Sequence, residues 1–108
     1  MSLRRARSVE EYVEWVRQAV FEVSDLRACL EYELEEEMHR FPAFLDPLES
    51  SIQALYRSME TGEYSFGRED LPFMELAERY ADEIPFHSLL KQINETHRKG
   101  LDVDRASQ

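Results

Sequence analysis

The chain has 108 residues, 43% of them apolar and 33% charged, and its 13 Lys and Arg against 23 Asp and Glu leave a net charge of -10. One domain of this length buries roughly two-thirds of the surface its unfolded form exposes, and the apolar content excludes a wholly disordered chain. The acidic balance repels nucleic-acid phosphates and anionic membrane surfaces, while a single cysteine, Cys29, excludes an internal disulfide.

Few glycines and many charged residues favour helix over a turn-rich β architecture. The expected class is all-α: a small helical bundle over residues 1–100, with one long N-terminal helix and three shorter antiparallel helices. Basic residues cluster only at the ends, in Arg4, Arg5 and Arg7 and in His97, Arg98 and Lys99, runs too short for a nucleic-acid patch. No apolar run reaches the length of a signal peptide or a membrane helix, so a cytoplasmic protein with no membrane and no nucleic-acid partner is expected.

The long helix should start at Ser8, whose hydroxyl can cap the first free amides while Glu11 reaches back as in a capping box. Val9, Tyr12, Val13, Val16, Val20, Val23, Leu30, Leu34, Met38 and Phe41 keep one helical phase and predict a stripe from Val9 to Phe41. Ser24 and Asp25 are cap-type residues inside it. The phase carries on past them, which favours one continuous or kinked helix; two helices broken near Ser24-Asp25 stay open as the alternative. Trp15, Ala19 and Leu26 widen the stripe on one edge, and Phe21 and Tyr32 sit away from it, so the helix has more apolar surface than one neighbour covers.

Pro42 ends the helix, since it disfavours helical geometry at Phe41. Asp46 as cap, Pro47 and Glu49 predict a second helix whose face is Leu48, Ile52, Leu55, Tyr56 and Met59, stopped by Thr61-Gly62 with the glycine a left-handed cap needs. Tyr64 and Phe66 lie in a loop between Gly62 and Gly67, either plugging the bundle end or exposed, with plugging the expected case. Asp70 is expected to cap a third helix that buries Phe73, Met74, Leu76, Ala77, Tyr80, Ala81 and Ile84 before Pro85 stops it. A last helix buries Phe86, Leu89, Leu90 and Ile93, with His97 near the same phase, and ends in Arg98-Lys99-Gly100. Residues 101–108 show no periodicity and should fray.

One local conflict points to function. Glu31, Glu33, Glu35, Glu36 and Glu37 crowd the end of a helix, where the backbone dipole disfavours negative charge. Neighbouring Arg57, Arg79, Lys91 or Arg98 could relieve it within the chain. Otherwise the run reads as a surface that meets positive charge: a small non-enzymatic interaction or regulatory protein binding a partner protein through Trp15, Phe21, Tyr32, Glu33, Glu36 and Glu37. A homodimer through the long helix is the expected form of self-association, motivated by its apolar width.

Two other readings are distinct. Glu36 and His39 have the Glu-x-x-His spacing of carboxylate-bridged metal bundles, with Glu35 one turn before His39, but the second copy that such a centre needs is missing. An acidic face could also mimic nucleic acid and inhibit a basic protein. The scattered histidines, the Ser24-Asp25 and Ser50-Ser51 pairs and the isolated glycines form no catalytic motif or phosphate loop, so no enzymatic activity and no cofactor are expected. Cys29 falls on the polar side of the long helix among acids that oppose thiolate formation.

Overall fold

Ser8 starts the first helix as its side chain suggests. In the computed structural model, which describes residues 4–37 and 42–102 and leaves the side chains of 33–37 outside that description, the N–H of Glu11 donates to Ser8 Oγ at 3.1 Å. The Glu11 carboxylate reaches back one residue further than the usual box, accepting the N–H of Arg7 at 2.8 Å. From there α1 runs unbroken over Val9–Glu37. Ser24 and Asp25 are exposed inside it and do not divide it.

The buried line of α1 is Tyr12, Val16, Ala19 and Val23, at helical spacing. Ala19 lies at one edge of that line, where its phase places it, and is fully buried there. Val9, expected within the stripe, is 57% exposed. Val20, Leu26 and Leu30 pack against the core from the flanks. Leu34 has its side chain outside the described residues, and Met38 and Phe41 lie outside them altogether.

The second helix, α2, covers Leu45–Glu60. Asp46 does not cap it: Phe44 holds that position without a side-chain hydrogen bond, and the turn from Pro42 feeds the helix directly through Leu45 N–H to Pro42 O at 3.1 Å. Asp46 and Pro47 sit in the first turn instead, where an acid suits the dipole and a missing N–H costs nothing. Arg27 of α1 spans Asp46 and Glu49, its Nε donating to Glu49 at 3.0 Å, so the start of α2 lies beside the later part of α1. At the other end Gly62 takes φ 76°, with Glu63 N–H on Ser58 O at 2.9 Å and Gly62 N–H on Met59 O at 3.3 Å. These are the paired bonds of a Schellman cap.

The third helix is shorter than the apolar pattern implies. α3 covers Met74–Arg79, Phe73 precedes it without a side-chain cap, and Tyr80 leaves helical geometry at φ -112°, ψ 30°. Its ring stacks on Phe44 at 4.9 Å, and the chain turns back through Ile84 N–H on Tyr80 O. Ile84 is buried by that turn and not by a helical face. Asp70 is drawn away from the helix by Asn94 and Arg98.

α4 covers His87–Lys99 and buries Leu90, Ile93, Asn94 and Thr96. Three of its last four carbonyls are met: Thr96 O by Gly100 N–H at 2.7 Å, His97 O by Gly67 N–H at 3.2 Å, and Lys99 O by Arg5 at 3.1 Å. Gly100 takes φ 85° to make the turn. The segment before α1 then meets the end of α4, with Ala6 N–H on Thr96 Oγ1 at 3.0 Å and Asp102 N–H on Ala6 O at 2.7 Å. Leu101 packs against the core, so the expected fraying does not begin at residue 101; residues 103–108 lie outside the described residues.

The architecture is thus an all-α bundle in which α1 packs on α2 and α4, and α3 packs on α4. No strand occurs among the described residues, and no helix there is long and apolar enough to cross a membrane.

Candidate protein-binding face

At about 100° per residue the buried line of α1 leaves the opposite side of the helix to solvent. Phe21 is 55% and Tyr32 70% exposed. They fall about 20° apart on that outward side, separated along the axis by roughly 16 Å at 1.5 Å per residue. Glu14 and Asp25 share the line, and Glu10 and Ala28 border it, all exposed. Arg17 stands above the Phe21 ring at 5.9 Å and is paired with Glu14 at 3.3 Å. The result is an acidic strip with two exposed aromatic rings, one of them under a cation already paired with Glu14.

Trp15 belongs elsewhere. It is half-buried on the core flank, about 120° from Phe21 around the helix, with the Arg4 guanidinium 5.4 Å above its ring. The structure therefore unites Phe21 and Tyr32 and separates them from Trp15. Glu31 is exposed, and α1 has no basic residue in its last turn. Two of the cations expected to relieve the acidic run are engaged on other acids: Arg79 with Glu75 at 3.0 Å and Arg98 with Asp70 at 3.6 Å. The side chains of Glu33, Glu36 and Glu37 lie outside the described residues.

So do Glu35 and Glu36 as side chains, and His39 entirely, which leaves the proposed metal trio without a geometry. Among the described residues no group of three or more His, Cys, Asp or Glu stands close enough to hold a metal ion.

A second constellation, not foreseen from the sequence, lies at one end of the bundle. Tyr12 Oη is 3.1 Å from Ile93 O and 2.9 Å from Tyr64 Oη, which is 2.7 Å from His97 Nδ1. The direction of the protons follows from counting them. Ile93 O can only accept, so Tyr12 donates to it; Tyr64 must then donate to Tyr12 and accept from His97, which assigns the proton of His97 to Nδ1. Phe66 stacks on Tyr12 at 5.7 Å and stands edge-on to Tyr64 at 5.4 Å, so the loop aromatics close the bundle end while Phe66 keeps 44% exposure.

Burial decides the charge states here. It pushes the Tyr64 hydroxyl up to about 12, and raises that of Tyr12 as well. Burial pushes the His97 imidazole down from its ordinary value. Tyrosines held protonated are poor bases at neutral pH, so the chain reads as a structural network with one titratable member.

Two open grooves lie on either side of Leu71 and Pro72. One, 390 Å³, is lined by Ser50, Ser51, Ala54 and Leu55; the other, 770 Å³, by Asp70, Glu75, Glu78 and Arg79. Neither holds a paired nucleophile and base. Cys29 is exposed on α1, as its phase implies. No family model, no curated protein and no solved structure matches this chain.

Proposed function

We propose that the protein is a non-enzymatic interaction module whose outward α1 face docks a basic segment of a partner protein. The carrying observation is the exposure of Phe21 and Tyr32 on one line of α1, flanked by Glu14 and Asp25. Large aromatic side chains are the residues that most often anchor a protein interface. Surrounding carboxylates favour a cationic partner, steer its approach and disfavour a second copy of the same acidic face. Glu33, Glu36 and Glu37 extend this reading toward the end of the helix on sequence grounds alone.

The test compares wild-type protein with a Phe21→Ser, Tyr32→Ser double variant and with a Glu33→Gln, Glu36→Gln, Glu37→Gln triple variant. Each is used to capture partners from its native host. The reading requires a basic protein retained by wild type, lost by the double variant and weakened by salt. Equal retention by wild type and double variant ends it. Light scattering of the purified protein distinguishes self-association: a dimer abolished by the double variant would assign the same face to homodimerisation instead.

A further inference from the structure

Residues 63–71 cross the end of the bundle as a strap, and one turn of α4 holds most of it. Asn94 accepts the N–H of Leu71 at 2.7 Å and donates to Asp70 at 3.0 Å. His97 takes Tyr64 through its ring at 2.7 Å and Gly67 N–H through its backbone carbonyl at 3.2 Å. Arg98 donates to Arg68 O at 3.1 Å. Between the Gly62 turn and Leu71 the strap is mostly exposed and forms no helix; besides these bonds it is held by Tyr64 and Phe66 against Tyr12.

Gly67 is seated directly on the histidine. A Cβ at that position would stand 3.0 Å from His97 Nε2, so a larger residue would press on the ring and displace it by a few tenths of an ångström. Nε2 makes no hydrogen bond, yet no buried side-chain nitrogen or oxygen is left without a partner among the described residues; this nitrogen therefore reaches water. With Nδ1 already carrying its proton toward Tyr64, Nε2 is where the next proton binds.

We infer that His97 is the latch of this strap: the neutral ring holds residues 63–71 closed over the bundle end, and protonation at Nε2 favours the open strap. The imidazolium would be pressed between Gly67 and Tyr64 with part of its hydration removed, and lifting the strap restores that water. The Nδ1–H bond to Tyr64 strengthens when the ring is charged, but no carboxylate offsets the lost hydration. Tyr12 and Tyr64 are uncharged, Asp70 is paired with Arg98, Glu95 with Lys99 and Asp102 with Arg5, and none of these carboxylates pairs with the imidazole. The carbonyl end of α4 does favour a cation there, but His97 O and Lys99 O are already occupied by Gly67 and Arg5. The net direction, a ring harder to protonate in place, agrees with this balance. Each unit by which closure lowers the protonation midpoint makes opening about tenfold easier once the ring is charged.

Amide exchange resolved by NMR on the whole chain tests the latch between about pH 7.5 and about pH 5.5, where imidazole changes charge. Corrected for intrinsic rates, protection of Gly67 N–H should fall several-fold across this interval while Ile93 N–H in α4 keeps its protection. In His97→Gln, whose side-chain amide can still donate to Tyr64 and does not titrate, the fall should vanish. Unchanged Gly67 protection in wild type, a fall shared equally by Ile93, or the same fall in His97→Gln each overturns the proposal. Imidazole nitrogen shifts in wild type give an independent reading: Nδ1–H as the neutral tautomer with a midpoint below about 6.5 supports it, and Nε2–H or a midpoint at or above that value overturns it.

Discussion

The side-chain carbonyl of Asn94 lies 2.7 Å from the backbone nitrogen of Leu71 and accepts its hydrogen, joining α4 to the start of the α3 region inside the protein. Both residues are buried, at 6% and 7% exposure, and the amide nitrogen of Asn94 is used on Asp70. Asn94→Ala would strand a buried N–H, an error that costs about 1–3 kcal/mol. Chemical denaturation should show a loss of that size. Asn94→Asp is expected to fare little better, because it keeps the acceptor for Leu71 but sets a second carboxylate against Asp70. Unchanged midpoints in both variants would show that the bond carries no net stability.

Thr96 ties the segment before α1 to α4, accepting from Ala6 N–H at 3.0 Å while donating to Gln92 O at 3.0 Å. Thr96→Val keeps the shape and removes the hydroxyl, so it should cost about 1–2 kcal/mol through the unpaired Ala6 amide. Thr96→Ser should restore most of it. The amide of Ala6 should exchange faster in the valine variant and near normally in the serine variant.

Gly62 and Gly67 are constrained for different reasons, and substitution separates them. Gly62 has φ 76° and nothing within 4 Å of a would-be Cβ, so Gly62→Ala should cost about 1–2 kcal/mol from the backbone alone. Gly67→Ala instead pushes on the His97 ring, an overpacking cost of about 1–3 kcal/mol. In a His97→Ala background the second cost should largely disappear and the first should not, a double-mutant cycle that unfolding midpoints resolve.

Stability should depend on pH through His97. Because burial holds the folded ring below its ordinary value, the unfolded chain binds more protons as pH drops below about 6.5. The contribution is therefore whole above that pH and is lost as pH falls toward the lowered value of the folded ring. Urea midpoints measured between about pH 7.5 and about pH 5 should decline for wild type and stay flatter for His97→Gln. A midpoint that rises on acidification would contradict the sign.

The outward α1 residues should be silent in stability. Phe21→Ser and Tyr32→Ser remove side chains that are 55% and 70% exposed, and exposed substitutions of this kind usually change stability by less than about 0.5 kcal/mol. Melting temperature should hold even where partner capture fails. A large loss would mean that these rings pack within the protein.

Much of the architecture was readable from local pattern. Tyr12, Val16 and Val23 repeat at helical spacing, Ser8 carries the side chain that starts α1, and Gly62 and Gly100 stand where the backbone needs positive φ. The outward placement of Phe21 and Tyr32 follows from the same phase. These signals act within a turn or two, so sequence order alone contains them.

Tertiary structure decided what depends on neighbours distant in the chain. Asp46 and Asp70 look like caps, but Arg27 claims the first, and Asn94 with Arg98 the second. α3 stops at Arg79 although its apolar pattern runs to Ile84, because the following turn packs Tyr80 on Phe44 and buries Ile84 without helix. The Tyr12, Tyr64 and His97 chain, and the closure of Ala6 onto Thr96 across 90 positions, have no periodicity to reveal them. A hydrogen bond between remote residues exists only once packing has removed water and fixed both partners, and short-range spacing carries no record of that event.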